Sequence, residues 1–265
     1  MISSVAYLLV FHGSRDTRTL AAASKLKQLL LTKYKFKNIL TQQNYLETNL
    51  LLSEDKVRNT VNLLETPLMD IAALELASKS LSESLLDFAD RAYSKGIKQI
   101  NVLPLFLAPG VHVRQDIPRE IDLALKQFDR PITIGLSPFL GKYSEMVSLL
   151  SRRFSQLSGE ARILVAHGSK LPEGRSYYRN LATEINADLA YWSTAPKLGS
   201  IVEAQINSGK KKIALLPYFL FPGRITSAIA SEVAQLREQY PQVELNLGQP
   251  LGATEDLARL IAESV

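Results

Sequence analysis

The chain repeats itself, and the repeat limits the fold more than any single motif does. Tyr7-Leu-Leu-Val-Phe-His12-Gly-Ser-Arg15 aligns with Arg162-Ile-Leu-Val-Ala-His167-Gly-Ser-Lys170, each an apolar run that ends in His-Gly-Ser and a basic residue. Further on, Ile97-Lys-Gln-Ile-Asn-Val-Leu-Pro-Leu-Phe-Leu-Ala-Pro-Gly110 matches Lys212-Ile-Ala-Leu-Leu-Pro-Tyr-Phe-Leu-Phe-Pro-Gly223. Two paired motifs in the same order imply duplicated halves. The polar turn Gln156-Leu-Ser-Gly-Glu160 places their boundary, giving domains 1–157 and 158–265.

Within each half, short apolar runs bounded by glycine, proline or polar residues alternate with stretches of helical periodicity. Leu20, Ala23, Leu26 and Leu30 recur on one side of Leu20–Leu31, as do Leu81, Leu85, Phe88 and Ala92 of Leu81–Tyr93. Lys142–Phe154 ends the first half as a helix, and Tyr177–Ile185 and Ser227–Leu236 play matching parts in the second. That alternation predicts two homologous doubly wound α/β domains with parallel sheets and a cleft between them. The halves differ in length. His12 to His112 spans 100 residues and His167 to Ile225 spans 58, so the first half carries about 42 more, and an insertion is placed at about 44–70. Its readings are a surface excursion, a lid or a dimer contact.

Of the 265 residues none is cysteine, which excludes disulfides, iron–sulfur clusters, thiolate zinc sites and cysteine nucleophiles. Any metal site must use histidine, carboxylate or backbone oxygen. Apolar runs such as Val5–Phe11 and Val102–Pro109 fall far short of the roughly 18 to 20 residues of a membrane span. No basic region precedes the first run, so it is read as a buried strand of a cytoplasmic protein. The net charge of +5 is spread through the helices, which fits a small polyanionic ligand and argues against nucleic acid.

With three histidines in the chain, each position is informative. His12 and His167 end their first strands, and His112 follows Leu105-Phe-Leu-Ala-Pro-Gly110. Ligands of doubly wound sheets bind outside the carboxyl ends of the strands, so His12 and His112 are expected to face one cavity. His-Gly also occurs in histidine phosphatases and mutases, but the arginine of their Arg-His-Gly motif is replaced by Phe11 and Ala166. No Gly-rich nucleotide-binding string occurs either.

At His12-Gly-Ser-Arg15, Ala73-Leu-Glu75-Leu-Ala77 and Pro104-Leu-Phe-Leu-Ala-Pro-Gly-Val-His112-Val-Arg-Gln-Asp-Ile-Pro118, the chain resembles the class II chelatases of the sirohydrochlorin cobaltochelatase and ferrochelatase family, in their long two-half form. The echoes at His167-Gly-Ser169 and Pro217–Gly223 extend the resemblance over nearly the whole chain outside the insertion. It implies a lyase that inserts Co²⁺ or Fe²⁺ into sirohydrochlorin without ATP or a cofactor beyond the substrate metal. Cobalt would place it in cobalamin synthesis and iron in sirohaem synthesis; Ni²⁺ also stays open. It further implies His12, His112 and Glu75 as the metal-binding and catalytic set. Neutral imidazoles suit such ions and leave positions open for transfer to the macrocycle. Metallation removes two pyrrole protons and needs a base, either His112 or Glu75 paired with a histidine.

Sirohydrochlorin carries eight carboxylates, which arginine recognises well. Arg15 and Arg114 flank the first-half motifs, and Lys170 and Arg224 take the matching places in the second; Ser14 and Ser169 offer hydrogen bonds from the same turns. In the second half Ile225 replaces the second histidine, and Leu189–Ser193, aligned with Ala73–Ala77, lacks a carboxylate. One catalytic centre per chain follows, with His167 either a relic or a cleft wall. The fused halves suggest a monomer. Two other classes stand beside the enzyme: a non-catalytic tetrapyrrole or metal carrier, and a scaffold acting through the insertion.

Overall fold

A computed structural model describes residues 5–48 and 67–264. The first half runs β1 (Val5–Phe11), α1 (Thr17–Thr48), β2 (Met69–Ala73), α2 (Leu81–Ser94), β3 (Gln99–Pro104), a π-turn (His112–Asp116) leading directly into α3 (Ile117–Gln127), β4 (Thr133–Leu136), a 3₁₀ turn (Leu140–Lys142) and α4 (Glu145–Ser155). The second runs β5 (Ala161–Ala166), α5 (Pro172–Glu184), β6 (Asp188–Tyr191), α6 (Leu198–Asn207), β7 (Lys212–Pro217), α7 (Arg224–Gln239), β8 (Glu244–Leu247) and α8 (Glu255–Ser264). Both sheets are parallel and share one order, β2-β1-β3-β4 and β6-β5-β7-β8. The expected pair of doubly wound domains is what the chain forms.

Strand alternation separates three cores. Ala6, Leu8 and Val10 of β1 pack outward with α2 and α3, and Ile163 and Val165 of β5 do likewise with α6 and α7. The residues between them, Leu9 and Phe11 of β1 and Leu164 and Ala166 of β5, face inward into one core that both halves share. α8, the last helix of the second half, packs along α1 and α4 of the first, and Lys33 meets Glu255 there at 2.6 Å.

Helix periodicity places Ala23, Leu26, Leu30, Leu81, Leu85, Phe88 and Ala92 in cores as expected, but Leu20 is exposed. It lies in the first turn of α1, where the helix leaves the cavity mouth described below. The 44–70 expectation falls largely outside the described residues: Asn44 to Thr48 close α1, and Met69 and Asp70 open β2. Among the described residues no helix is long and apolar enough to cross a membrane.

Candidate functional site

Strand order alone brings the expected donors together. β2, β1 and β3 are neighbours, and the order reverses direction at β1, which is where a doubly wound sheet opens its crevice. His12 is the first residue beyond β1, Glu75 lies two beyond β2, and His112 begins the π-turn after the β3 loop. The ladder between β1 and β2 continues past the strands: the Leu74 amide donates to the Phe11 carbonyl at 2.8 Å and the Glu75 amide to the His12 carbonyl at 3.0 Å. Gly13, at φ +95°, makes this approach possible, since a Cβ there would lie 1.9 Å from the Glu75 carbonyl oxygen.

Among the described residues, His12, Glu75 and His112 form the one cluster of metal-ligating side chains, each offering a ligand atom within 4.8 Å of the others. His12 Nε2 is 4.0 Å from Glu75 Oε2, and His112 Nδ1 is 3.7 Å from Glu75 Oε1. The imidazoles meet edge to face, centroids 4.8 Å apart at 88°, with the Phe106 ring about 6 Å from each. His12 and Glu75 stay about half exposed, at 53% and 47% of their side chains, so the site is an open cleft.

The outer contacts orient both rings. His12 Nδ1 lies 3.3 Å from the Gly13 carbonyl, and His112 Nδ1 lies 2.8 Å from Asp116 Oδ2. Both partners only accept hydrogen bonds, so in a neutral ring Nδ1 carries the proton and Nε2 keeps its lone pair for an ion. Asp116 is absent from the sequence expectations, although its i, i+4 spacing from His112 is the signal that finds it. π-turns of this kind concentrate at functional sites.

A cavity of about 380 Å³ joins the two halves at this point. Phe11, His12, Ser14, Thr19 and Leu105 line one side, and the segment 219–226, Arg224 included, lines the other. A larger cavity of about 740 Å³ lies between the β3–α4 connections and α5 but contains none of the three donors, so chemistry selects the smaller one. Ser14 Oγ accepts the Asp16 amide at 3.0 Å and Ser169 Oγ the Leu171 amide at 3.1 Å, and the Ser169 hydroxyl in turn donates to the Leu171 carbonyl at 3.4 Å. Arg15 and Arg224 are exposed, and among the described residues neither has an ion pair, whereas Arg114 is paired across the halves with Glu173 of α5.

The second half keeps the frame without the donors. His167 repeats the His12 contact, Nδ1 to the Gly168 carbonyl at 3.3 Å, and Phe219 stands beside it as Phe106 stands beside His12. The Trp192 and Ser193 amides bond the Ala166 and His167 carbonyls as Leu74 and Glu75 bond Phe11 and His12, so the counterpart of Glu75 is Ser193. This corrects the sequence alignment, which set Ala73–Ala77 against Leu189–Ser193 two residues out of register. Likewise the Ser227 amide bonds the Gly223 carbonyl as Arg114 bonds Gly110, so Arg224 matches Val111, and Ser227 matches Arg114. Ile225 stands at the place of His112.

Comparison with known proteins agrees with this reading of the duplication. The CbiX family model matches the chain twice, over residues 53–157 and 161–265. The first match contains Glu75 and His112 and begins after β1. The sirohydrochlorin cobaltochelatase of Priestia megaterium is 27% identical, with 74% of this chain and 68% of that protein covered. The sirohydrochlorin ferrochelatase of the same organism is 24% identical, covering 76% and 78%. Among solved structures, SirB from Bacillus subtilis with Fe³⁺ superposes with a TM-score of 0.69 at 19% identity, covering 98% of this chain and 94% of that one. The sirohydrochlorin chelatase SirB of the spizizenii subspecies, in complex with cobalt, gives 0.66 at 20% identity, covering 99% and 94%. These likenesses show that the fold is shared.

Proposed function

The chain belongs to the CbiX family, and on that premise we propose that it is a sirohydrochlorin chelatase, a lyase inserting Co²⁺ or Fe²⁺ into the macrocycle in cobalamin or sirohaem synthesis. The observation that carries this reading is the convergence of His12, Glu75 and His112 within 4.8 Å at an open strand-end cleft.

In this mechanism the ion is a substrate. It enters on His12 and His112 with Glu75 as third ligand, and two imidazoles leave coordination positions for the incoming pyrrole nitrogens. Thiolates would hold it too tightly to release; the cysteine-free composition fits a transient site. As the macrocycle takes the metal, two pyrrole protons must leave. Because Nδ1 of each ring is already bonded to an acceptor, Glu75, between the two histidines and about half exposed, is the group assigned to take one proton as its bond to the metal breaks and to pass it to solvent before taking the second. Neither ATP nor a resident cofactor has a part.

The first half, residues 1–157, is assigned the chemistry and residues 158–265 the opposite wall. Ser14, Arg15, Ser169, His167 and Arg224 are assigned to the substrate's acid arms. Arg114 joins them only when its pair with Glu173 opens. A monomer in the cytoplasm completes the reading.

The test is anaerobic metallation of sirohydrochlorin, followed by absorbance, with Co²⁺, Fe²⁺ and Ni²⁺ in parallel. Wild type is expected to exceed the enzyme-free rate and His112→Ala to lose that excess. A wild-type rate equal to the control with every metal leaves a carrier in place of the enzyme.

A further inference from the structure

Two exposed apolar side chains adjoin the donors in the chain. Leu76 follows Glu75 and is 59% exposed; Val111 precedes His112 and is 47% exposed. Leu76 also has a left-handed backbone, φ +56°. Among the described residues Asn186 is the other non-glycine with positive φ, and asparagine tolerates that region where a bulky apolar residue does not. Folding therefore gains little from leucine at position 76: the side chain stays largely in water and the backbone is strained.

The duplicated half provides an internal control. With Ser193 at the place of Glu75, the residue matching Leu76 is Thr194, and the residue matching Val111 is Arg224. Thr194 does not adopt positive φ. The strained leucine and the exposed valine occur only in the half that has the carboxylate and the second histidine. Where the donors are missing, a polar and a cationic residue replace the apolar pair.

We propose that Leu76 and Val111 form the apolar seat on which the flat face of the tetrapyrrole rests during metal transfer. The inference depends on the function proposed above. An ion held by His12, Glu75 and His112 can reach the ring nitrogens only if the ring face lies over those donors. The ring then extends over the residues beside them, and a conjugated face bordered by acid arms matches apolar contact at the centre with cations at the rim, such as Arg15 and Arg224. Strain retained next to chemistry is a known feature of sites where the backbone must present a group to a ligand.

Leu76→Gly and Leu76→Asn test this because both relieve the left-handed backbone while removing the apolar contact. In the full chain, the expected result is an equal or higher Tm, a Kd for metal-free sirohydrochlorin raised about tenfold, and a Co²⁺ affinity, measured without macrocycle, within twofold of wild type. Val111→Ser should raise the macrocycle Kd severalfold, and Leu76→Met should retain wild-type binding. Macrocycle binding unchanged in Leu76→Gly and Leu76→Asn, in a chain that still turns over, overturns the inference and leaves the chelatase reading intact. Cobalt affinity falling in parallel with macrocycle binding also overturns it, by showing that Leu76 acts through Glu75. A wild type that neither binds nor metallates sirohydrochlorin overturns both.

Discussion

The hydroxyl of Tyr218 donates to the carbonyl oxygen of Leu107 at 3.0 Å, from the second half to the loop of the first that leads to His112. Tyr177 completes the junction, its hydroxyl 2.8 Å from that of Tyr218 and 2.7 Å from the Gly141 carbonyl. Gly141 is required by the close fit: a Cβ there would lie 2.0 Å from the Leu107 oxygen and 2.5 Å from the Tyr177 hydroxyl. Burial pushes the Tyr177 phenol up to about 12 and raises Tyr218 well above its ordinary value, so at neutral pH each keeps the proton it gives to a carbonyl of the first half. The halves thus meet in a shared apolar core held in register by a buried polar chain. Tyr218→Phe leaves the Leu107 carbonyl without its donor and is expected to cost about 1 to 3 kcal/mol, read as a lower urea midpoint at unchanged m-value.

The 2.8 Å contact between His112 and Asp116 leads to a prediction about metal affinity. Asp116→Ala frees the His112 ring to rotate and to change tautomer, and should weaken Co²⁺ binding by about 10- to 100-fold, the usual loss when a ligand histidine's outer partner is removed. Asp116→Asn still offers an oxygen to Nδ1–H and should retain most of the affinity. Calorimetric titration with Co²⁺ in the absence of macrocycle measures both. Equal losses in the two variants would mean that Asp116 acts through its charge and not through orientation.

How far the sequence carried the fold and the site depends on what each feature rests on. The two repeats and the strand-end positions of His12 and His112 were legible because apolar runs and their glycine stops are local. Leu20 misled because periodicity reports a helix face and not where the helix outruns the sheet. The second-half alignment slipped by two residues around Ser193 because no side chain there resembles Glu75, and only the backbone bonds to Ala166 and His167 restore the register. Arg114 looked free until folding brought Glu173 across from α5, a pairing between distant residues that no local pattern encodes.

Asp70 gives the molecule an acid-sensitive clamp. On the edge strand β2 it meets Lys27 of α1 at 3.1 Å and Arg91 of α2 at 2.7 Å, tying together helices of opposite faces, and it accepts the Ile71 amide at 2.9 Å. Burial alone would raise its pKa, but the Arg91, Ile71 and Lys27 bonds outweigh it and the net shift is downward. A carboxyl depressed in the folded state adds stability that is fully present above its unfolded value of about 3.9 and is lost as pH falls through the lower folded value. Asp70→Asn should therefore cost about 1 to 2 kcal/mol at pH 7 and flatten the decline below about pH 4. Urea unfolding at pH 7 and at pH 3 tests this: the gap between wild type and variant should be smaller at the lower pH.

The two strand-end histidines share a local geometry but differ in their neighbours, so their alanine variants should diverge. His12 has Glu75 at 4.0 Å and His112 at 4.8 Å between ring centroids, whereas His167 has Ser193 and Ile225 at the corresponding places. An ion needs several donors at once, and a lone imidazole beside a hydroxyl and a branched alkyl group holds first-row divalent ions weakly. His12→Ala should abolish Co²⁺ binding in the micromolar range and the metallation rate with it. His167→Ala should leave Co²⁺ affinity within twofold and raise KM for sirohydrochlorin severalfold at nearly constant kcat, the pattern of a lost contact that substrate and transition state use equally. A fall in Co²⁺ affinity for His167→Ala comparable to that of His12→Ala would place a second metal site in the half that lacks the carboxylate, and would remove the asymmetry on which a single catalytic centre rests.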